Sequence, residues 1–230
     1  MNSESDDGQV RGPALPLRPY VLASSADLAA ERAAGADEDV HFTASLARSV
    51  IEDLTVAGDR VLDPFAGFGT TLRVATELGR SAVGIELLPE RCAVARAAAP
   101  AATVVEGDAR DLDRLVSGPF DLVLTSPPYR TERDHPADPL SAYARDRGDY
   151  PTYLRELTGV VAACVDLLAD GGHVVLNVAN IAAHQGFTPL AWDLGRAVTS
   201  VARVVQDVPV CWDALPHDLA SDHLIVLTHP

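Results

Sequence analysis

The stretch LTSPPYR, residues 124–130, ends an apolar run with a hydroxyl, two prolines and an aromatic ring. Proline offers no N–H to a sheet ladder and holds the residue before it extended. The result is a stiff corner at a strand end, presenting the Ser126 hydroxyl, the Pro127 carbonyl, Pro128 and Tyr129. Such a corner suits a binding or catalytic edge. A second stretch, VLDPFAGFGTTL (61–72), runs from a strand through a glycine loop into a helix. Gly67 and Gly69 admit backbone conformations and a close ligand approach that a Cβ would block. Thr70 and Thr71 then open a helix whose free N–H groups favour an anion. Leu72 stands where a G-x-G-x-x-G fingerprint needs a small residue, and no G-K-[ST] follows, so neither a dinucleotide fingerprint nor a P-loop fits. Three acids, Asp63, Glu86 and Asp108, close three successive strands. Glu86 stands where a carboxylate can accept both hydroxyls of a ribose. Asp108, in EGDARDL, is placed to accept from an adenine amino group. Together they outline a nucleoside site with an anionic or zwitterionic extension.

The elements that must hold these groups alternate between apolar β-type runs and helical periods. Strands are expected at 60–65, 81–87, 102–107, 120–125, 172–178, 201–210 and 222–228. Helices are expected near 43–57, 69–79, 89–98, 150–169 and 187–199, with a short alanine-rich one around 25–34. In 150–169, Tyr153, Leu154, Leu157, Val160, Val161, Cys164, Leu167 and Leu168 recur at three- and four-residue spacing, and Pro151 suits a first turn. Apolar strands alternating with helices imply an α/β fold, a mostly parallel seven-stranded sheet with helices on both faces. Only residues 211–221 separate the last two strands, which predicts an antiparallel strand at one edge. Residues 1–20 are polar and aperiodic and read as a disordered tail, leaving 21–230 as one domain.

Composition narrows the partners. Of the 230 residues 47% are hydrophobic, enough for one well-cored domain. No apolar run reaches the span of a membrane helix and no signal-like stretch opens the chain. Cys92, Cys164 and Cys211 fall in no metal-like spacing and read as buried thiols of a reducing, cytoplasmic compartment; no metal site is expected. The net charge is −15, and every one of the 18 basic residues is an arginine. The first 40 residues hold eight acids against three arginines, so the remainder still carries −10. A field of that sign repels nucleic acid unless a local arginine patch offsets it.

With both motifs in one chain, the sequence resembles the class I S-adenosylmethionine-dependent methyltransferases. It is most similar to the branch that methylates exocyclic amino groups of DNA bases, the N4-cytosine and N6-adenine methylases. In that family DPFAGFGTT (63–71) is the cofactor loop and TSPPY (125–129) the catalytic corner. A serine opening the corner, as Ser126 does, is more typical of the cytosine-type enzymes. The resemblance covers roughly residues 40–229 and implies a Rossmann-like class I fold. It implies that S-adenosylmethionine contacts Asp63, Phe65, Ala66, Gly67, Gly69 and Thr70, with Phe65, Gly67 and Gly69 lining its methionine part. Glu86 would hold the ribose, and Asp108 with Ala109 the adenine. HFTASLARSVIEDL (41–54) is similar to the helix before the cofactor loop in one circular order of the family, without the prolines and lysine common there. The family's sizeable target-recognition region has no counterpart, since the only insertions are 130–149 and 179–188.

The implied chemistry is N-methylation. An exocyclic amino nitrogen is a poor nucleophile because its lone pair is delocalised into the ring. Acceptors for its two N–H groups, the Ser126 hydroxyl and the Pro127 carbonyl, favour a pyramidal nitrogen with its lone pair free to attack. Tyr129 can stack on the ring, worth ~1–3 kcal/mol for a base. In a duplex the base must first flip out. The loop 130–150 carries four arginines among five acids and is either a solvated loop or a lid over the acceptor. DNA is thus the expected substrate, with RNA, a small molecule or a peptide amino group as the alternative.

Overall fold

Leu46, Ala47, Val50 and Ile51 share one face of the segment ASLARSVIEDL, and that face is fully buried. The segment is a helix, Ala44–Leu54, started by Thr43, whose hydroxyl accepts from the Leu46 N–H. Satisfying one of the first-turn donors in this way is the ordinary role of a threonine N-cap. The computed structural model describes residues 15–31, 43–128, 150–183, 186–216 and 219–230.

In chain order the elements are β1 (Val21–Ala23), α1 (Ser25–Ala30), α2 (Ala44–Leu54), β2 (Arg60–Asp63), α3 (Thr70–Glu77), β3 (Ser81–Glu86), α4 (Pro89–Ala98) and β4 (Thr103–Glu106). A 3₁₀ turn at Ala109–Asp111 leads to α5 (Leu112–Leu115) and β5 (Phe120–Thr125). Then come α6 (Tyr150–Asp166), β6 (Leu168–Ala183), β7 (Gly186–Thr188), α7 (Leu190–Ala197), β8 (Arg203–Trp212) and β9 (Leu219–Thr228). The sheet order is β1-β8-β9-β6-β5-β2-β3-β4, with β7 attached to β6. Two apolar layers cover it. One gathers α2, α3 and α4 over Val61, Leu122, Leu124 and Val226; the other gathers α6 and α7 over Leu62, Val123, Leu176 and Ile225.

The α/β architecture holds, and the expected sheet needs two corrections. It has nine strands, not seven. The additions are short: β1 pairs in parallel with the outer side of β8, and β7 folds back on the far end of β6. Three-residue strands leave no periodicity to read. The antiparallel strand is also not at the edge. β9 runs antiparallel to both β6 and β8, and β8 is itself covered by β1.

The inner end of the expected tail is docked. Leu17 is buried, its N–H donates to Gln206 Oε1, and its carbonyl accepts from Gln206 Nε2. Cys92 and Cys164 are buried, but Cys211 is exposed, on β8 opposite the exposed Leu22 of β1, at an outward position of the strand alternation. Among the described residues no helix is long and apolar enough to cross a membrane.

Candidate active site

β2, β3, β4 and β5 are parallel neighbours, so their carboxyl ends open on one edge of the sheet. Asp63, Glu86 and Thr125 are the last residues of β2, β3 and β5, and Asp108 follows two residues after β4. The three acids read from the sequence and the proline corner therefore lie along the same edge.

The glycine loop crosses that edge and is pinned on both sides. The Ala66 N–H donates to the Ile85 carbonyl of β3, and the Gly69 N–H to the Ala66 carbonyl. Gly67 and Gly69 have φ of 51° and 86°, in the left-handed region that disfavours a side chain. At Gly69 a Cβ would also stand 3.0 Å from Ala95 Cα, so α4 packs directly against the start of α3. Gly69 is the N-cap of α3 and brings no capping side chain. The first-turn N–H groups of α3 are thus not taken by their own cap.

Glu86, 7% exposed, closes the loop from below. Its two carboxylate oxygens accept from the Gly67 N–H at 2.8 Å and the Leu88 N–H at 2.9 Å. Burial raises its pKa, and the Leu88 N–H, the nearby Arg91 charge and the Gly67 N–H offset this only in part. Each oxygen retains a lone pair for a further donor. Asp108 caps the 3₁₀ turn, accepting from the Arg110 N–H, and is clamped by the Arg110 guanidinium at 2.6 Å. Burial pulls its pKa up, but the Arg110 side chain, backbone N–H and charge outweigh that and hold it below the usual carboxylate range. Ala109 beside it is buried.

Asp63 is 2% exposed and accepts from the Phe65 N–H at 3.0 Å and the Thr125 hydroxyl at 2.6 Å. Burial pushes its pKa up to about 6 against the lowering effect of the Thr125 hydroxyl and the Phe65 N–H. Thr71 is itself buried, and its hydroxyl has no partner of hydrogen-bonding geometry. The loop thus carries an underused polar atom beside a carboxyl group.

Ser126 is half-buried, Pro127 buried and Pro128 half-buried. The Pro128 carbonyl accepts from the buried Tyr153 hydroxyl of α6 at 2.9 Å. Tyr153 stacks on Tyr150 with centroids 6.2 Å apart, and the Tyr150 hydroxyl donates to Asp193 of α7 at 3.0 Å. Tyr129, the loop 130–149, His41 and Phe42 lie outside the described residues.

Sequence reasoning missed four contributors: Thr125 as the partner of Asp63, Tyr153 as the support of the corner, Arg110 as the clamp on Asp108, and Arg91 beside Glu86. Thr125 had a signal, a hydroxyl at a strand end directly before the corner. Tyr153 read only as one member of the apolar stripe, since its hydroxyl finds a partner 25 residues away.

Residues 31–97 match the sequence model of a family described as DNA methylase. Over 46 residues, 20% of this chain and 15% of the relative, the sequence is 44% identical to the Type II methyltransferase M.MjaI of Methanocaldococcus jannaschii. Over 49 residues, 21% of this chain and 10% of the relative, it is 43% identical to the Type II methyltransferase M.BsoBI of Geobacillus stearothermophilus. The matched segments are small parts of both relatives. Among solved structures, the glycopeptide N-methyltransferase MtfA complexed with S-adenosyl-L-methionine superposes over 81% of this chain and 94% of its own, with a TM-score of 0.55 and 16% identity. The resemblance to the N4-cytosine and N6-adenine methylases therefore has support in the segment that holds the glycine loop, and the fold is that of the class I methyltransferases.

Proposed function

We propose that this chain, a methyltransferase by fold with a DNA-methylase-like loop segment, transfers a methyl group from S-adenosylmethionine to an exocyclic amino nitrogen of a nucleobase in DNA, cytosine N4 in preference to adenine N6. The observation that carries this reading is the bond from Thr125 to Asp63, which joins the glycine loop to the proline corner on adjacent strands.

The residues on the cofactor side fit the group chemically. The positive-φ Gly67 and Gly69 allow close approach, and α3 begins there without a side-chain cap. Asp63 and the unpartnered Thr71 hydroxyl suit a zwitterionic amino-acid end. Glu86 has acceptor capacity for two ribose hydroxyls, and Asp108 with Ala109 borders the position expected for adenine. Phe65, Ala66 and Thr70 are assigned the remaining contacts with the group. Bound there, S-adenosylmethionine supplies an electrophilic sulfonium methyl.

The chain's own residues do the rest. The Ser126 hydroxyl and the Pro127 carbonyl accept the two amino hydrogens and orient the nitrogen's lone pair. Tyr153 fixes the corner through the next carbonyl, that of Pro128. Tyr129 contributes a ring face to the base. No strong base is required, since the nitrogen becomes acidic only once it carries the methyl. Positioning then supplies most of the rate.

The net charge of −15 favours a second reading, the same chemistry on RNA or on a small-molecule or peptide amino group. Incubation with methyl-labelled cofactor and separate pools of DNA, RNA and cell metabolites distinguishes them. Label in DNA supports the first reading; label confined to either other pool overturns it.

A further inference from the structure

β6 outruns its neighbour. It pairs with β5 up to Leu176, which registers with Thr125, and then continues to Ala183. At Ile181 one edge of β6 is taken by Leu219 of β9, so β7, which pairs Thr188 with the same Ile181, lies on the other edge. That is the edge β5 occupies lower down. β7 therefore sits in the lane of β5, five residues or about 17 Å beyond Thr125 at ~3.3 Å per residue. The corner Ser126–Pro128 leaves β5 at the lower end of this gap.

Two aromatic rings face solvent at the upper end. Phe187 of β7 is 52% exposed and Trp192, in the first turn of α7, is 60% exposed. Their centroids are 5.9 Å apart at 54°. A single exposed apolar residue is ordinary, but a contacting pair of large rings beside a polar edge is a recognition feature. The pair is also wired to the corner. Asp193, next to Trp192, accepts from Tyr150, which stacks on Tyr153, which holds the Pro128 carbonyl.

We propose that Phe187 and Trp192 form a stacking platform for a nucleotide flanking the target base in single-stranded DNA. The exposed ring pair and its link to the corner point to this occupant, and the charge balance favours an unpaired strand over a duplex. With −15 overall and only 18 arginines, the chain is poorly supplied for phosphate neutralisation along a duplex. Stacking on neutral rings adds a contribution that does not depend on phosphate neutralisation, and an unpaired strand exposes the faces of its bases. The inference rests on the nucleobase reading above.

The test measures binding of a fluorescent single-stranded oligonucleotide at low salt, with methyl transfer to the same oligonucleotide and to free deoxycytidine. Trp192→Ala and Phe187→Ala should each weaken oligonucleotide binding roughly 5- to 150-fold. Trp192→Tyr should restore most of it, and the salt slope should not change. In turnover, KM for the oligonucleotide should rise while kcat and the reaction with deoxycytidine stay as in wild type. Wild-type turnover on the oligonucleotide with unaltered KM in both alanine variants would overturn the platform and leave the nucleobase reading standing. Aromatic-dependent binding without methyl transfer would sustain the platform and overturn the nucleobase reading. Absence of oligonucleotide binding in the wild type would overturn the platform.

Discussion

The Thr125 hydroxyl donates to the Asp63 carboxyl group at 2.6 Å, joining two motifs 62 residues apart. Both residues are almost fully buried. Thr125→Val keeps the shape and removes the donor, which should cost about 1–3 kcal/mol of stability. The loss should be larger at pH 8 than at pH 5, because the donor favours the ionised carboxyl group. Urea unfolding at the two pH values checks this, and an equal loss at both would sever the link between Thr125 and Asp63 ionisation.

Asp63 itself should leave a pH signature. Its folded pKa of about 6 lies above its ordinary 3.8, so the folded protein binds this proton more tightly than the unfolded chain does. Stability from this group is full below about pH 4 and is lost as pH rises through about 6. The maximum is about 3 kcal/mol at ~1.4 kcal/mol per unit. Asp108 works in the opposite direction, but its lowered pKa puts that loss at lower pH. Asp63→Asn should therefore gain stability relative to wild type between pH 4.5 and pH 7.5, as read by thermal unfolding. A constant difference across that range would contradict the assignment.

On the cofactor side, Glu86→Ala removes a buried carboxylate that holds Gly67 and, in the proposed reading, the ribose. Charge-assisted bonds of ~1.5–3 kcal/mol correspond to roughly 10- to 150-fold weaker cofactor binding by calorimetry. Circular dichroism should report a retained fold. Unchanged affinity in the folded variant would place Glu86 outside the site.

Tyr153→Phe separates corner from loop. It deletes the hydroxyl that holds the Pro128 carbonyl and keeps the ring. Stability should fall by about 0.5–1.5 kcal/mol and methyl transfer should drop, while cofactor affinity stays within error of wild type. Loss of cofactor binding in the folded variant would contradict the division between cofactor and acceptor sides.

The sequence carried the frame of this site because its signals are local. The glycine loop, the strand-end acids and the proline corner each depend on neighbouring residues, and the parallel sheet then brings the three acids and the corner to one edge. What escaped depends on contacts across the fold. Tyr153 looks apolar in a helical stripe until its hydroxyl meets Pro128, and nothing local marks Arg110 as the clamp on Asp108. β1 escaped because three residues show no alternation. The true place of β9, between β6 and β8, followed from pairing that loop length alone does not specify.

In the proposed function, loop and corner form one site for amino methylation of a base. The most direct measurement digests single-stranded DNA to nucleosides after incubation with the protein and methyl-deuterated S-adenosylmethionine, and identifies the labelled nucleoside by mass spectrometry. Label is expected in N4-methyldeoxycytidine, strongly reduced by Ser126→Ala although that variant still binds cofactor. Label on a ring carbon, or N4 label undiminished in Ser126→Ala, would contradict it.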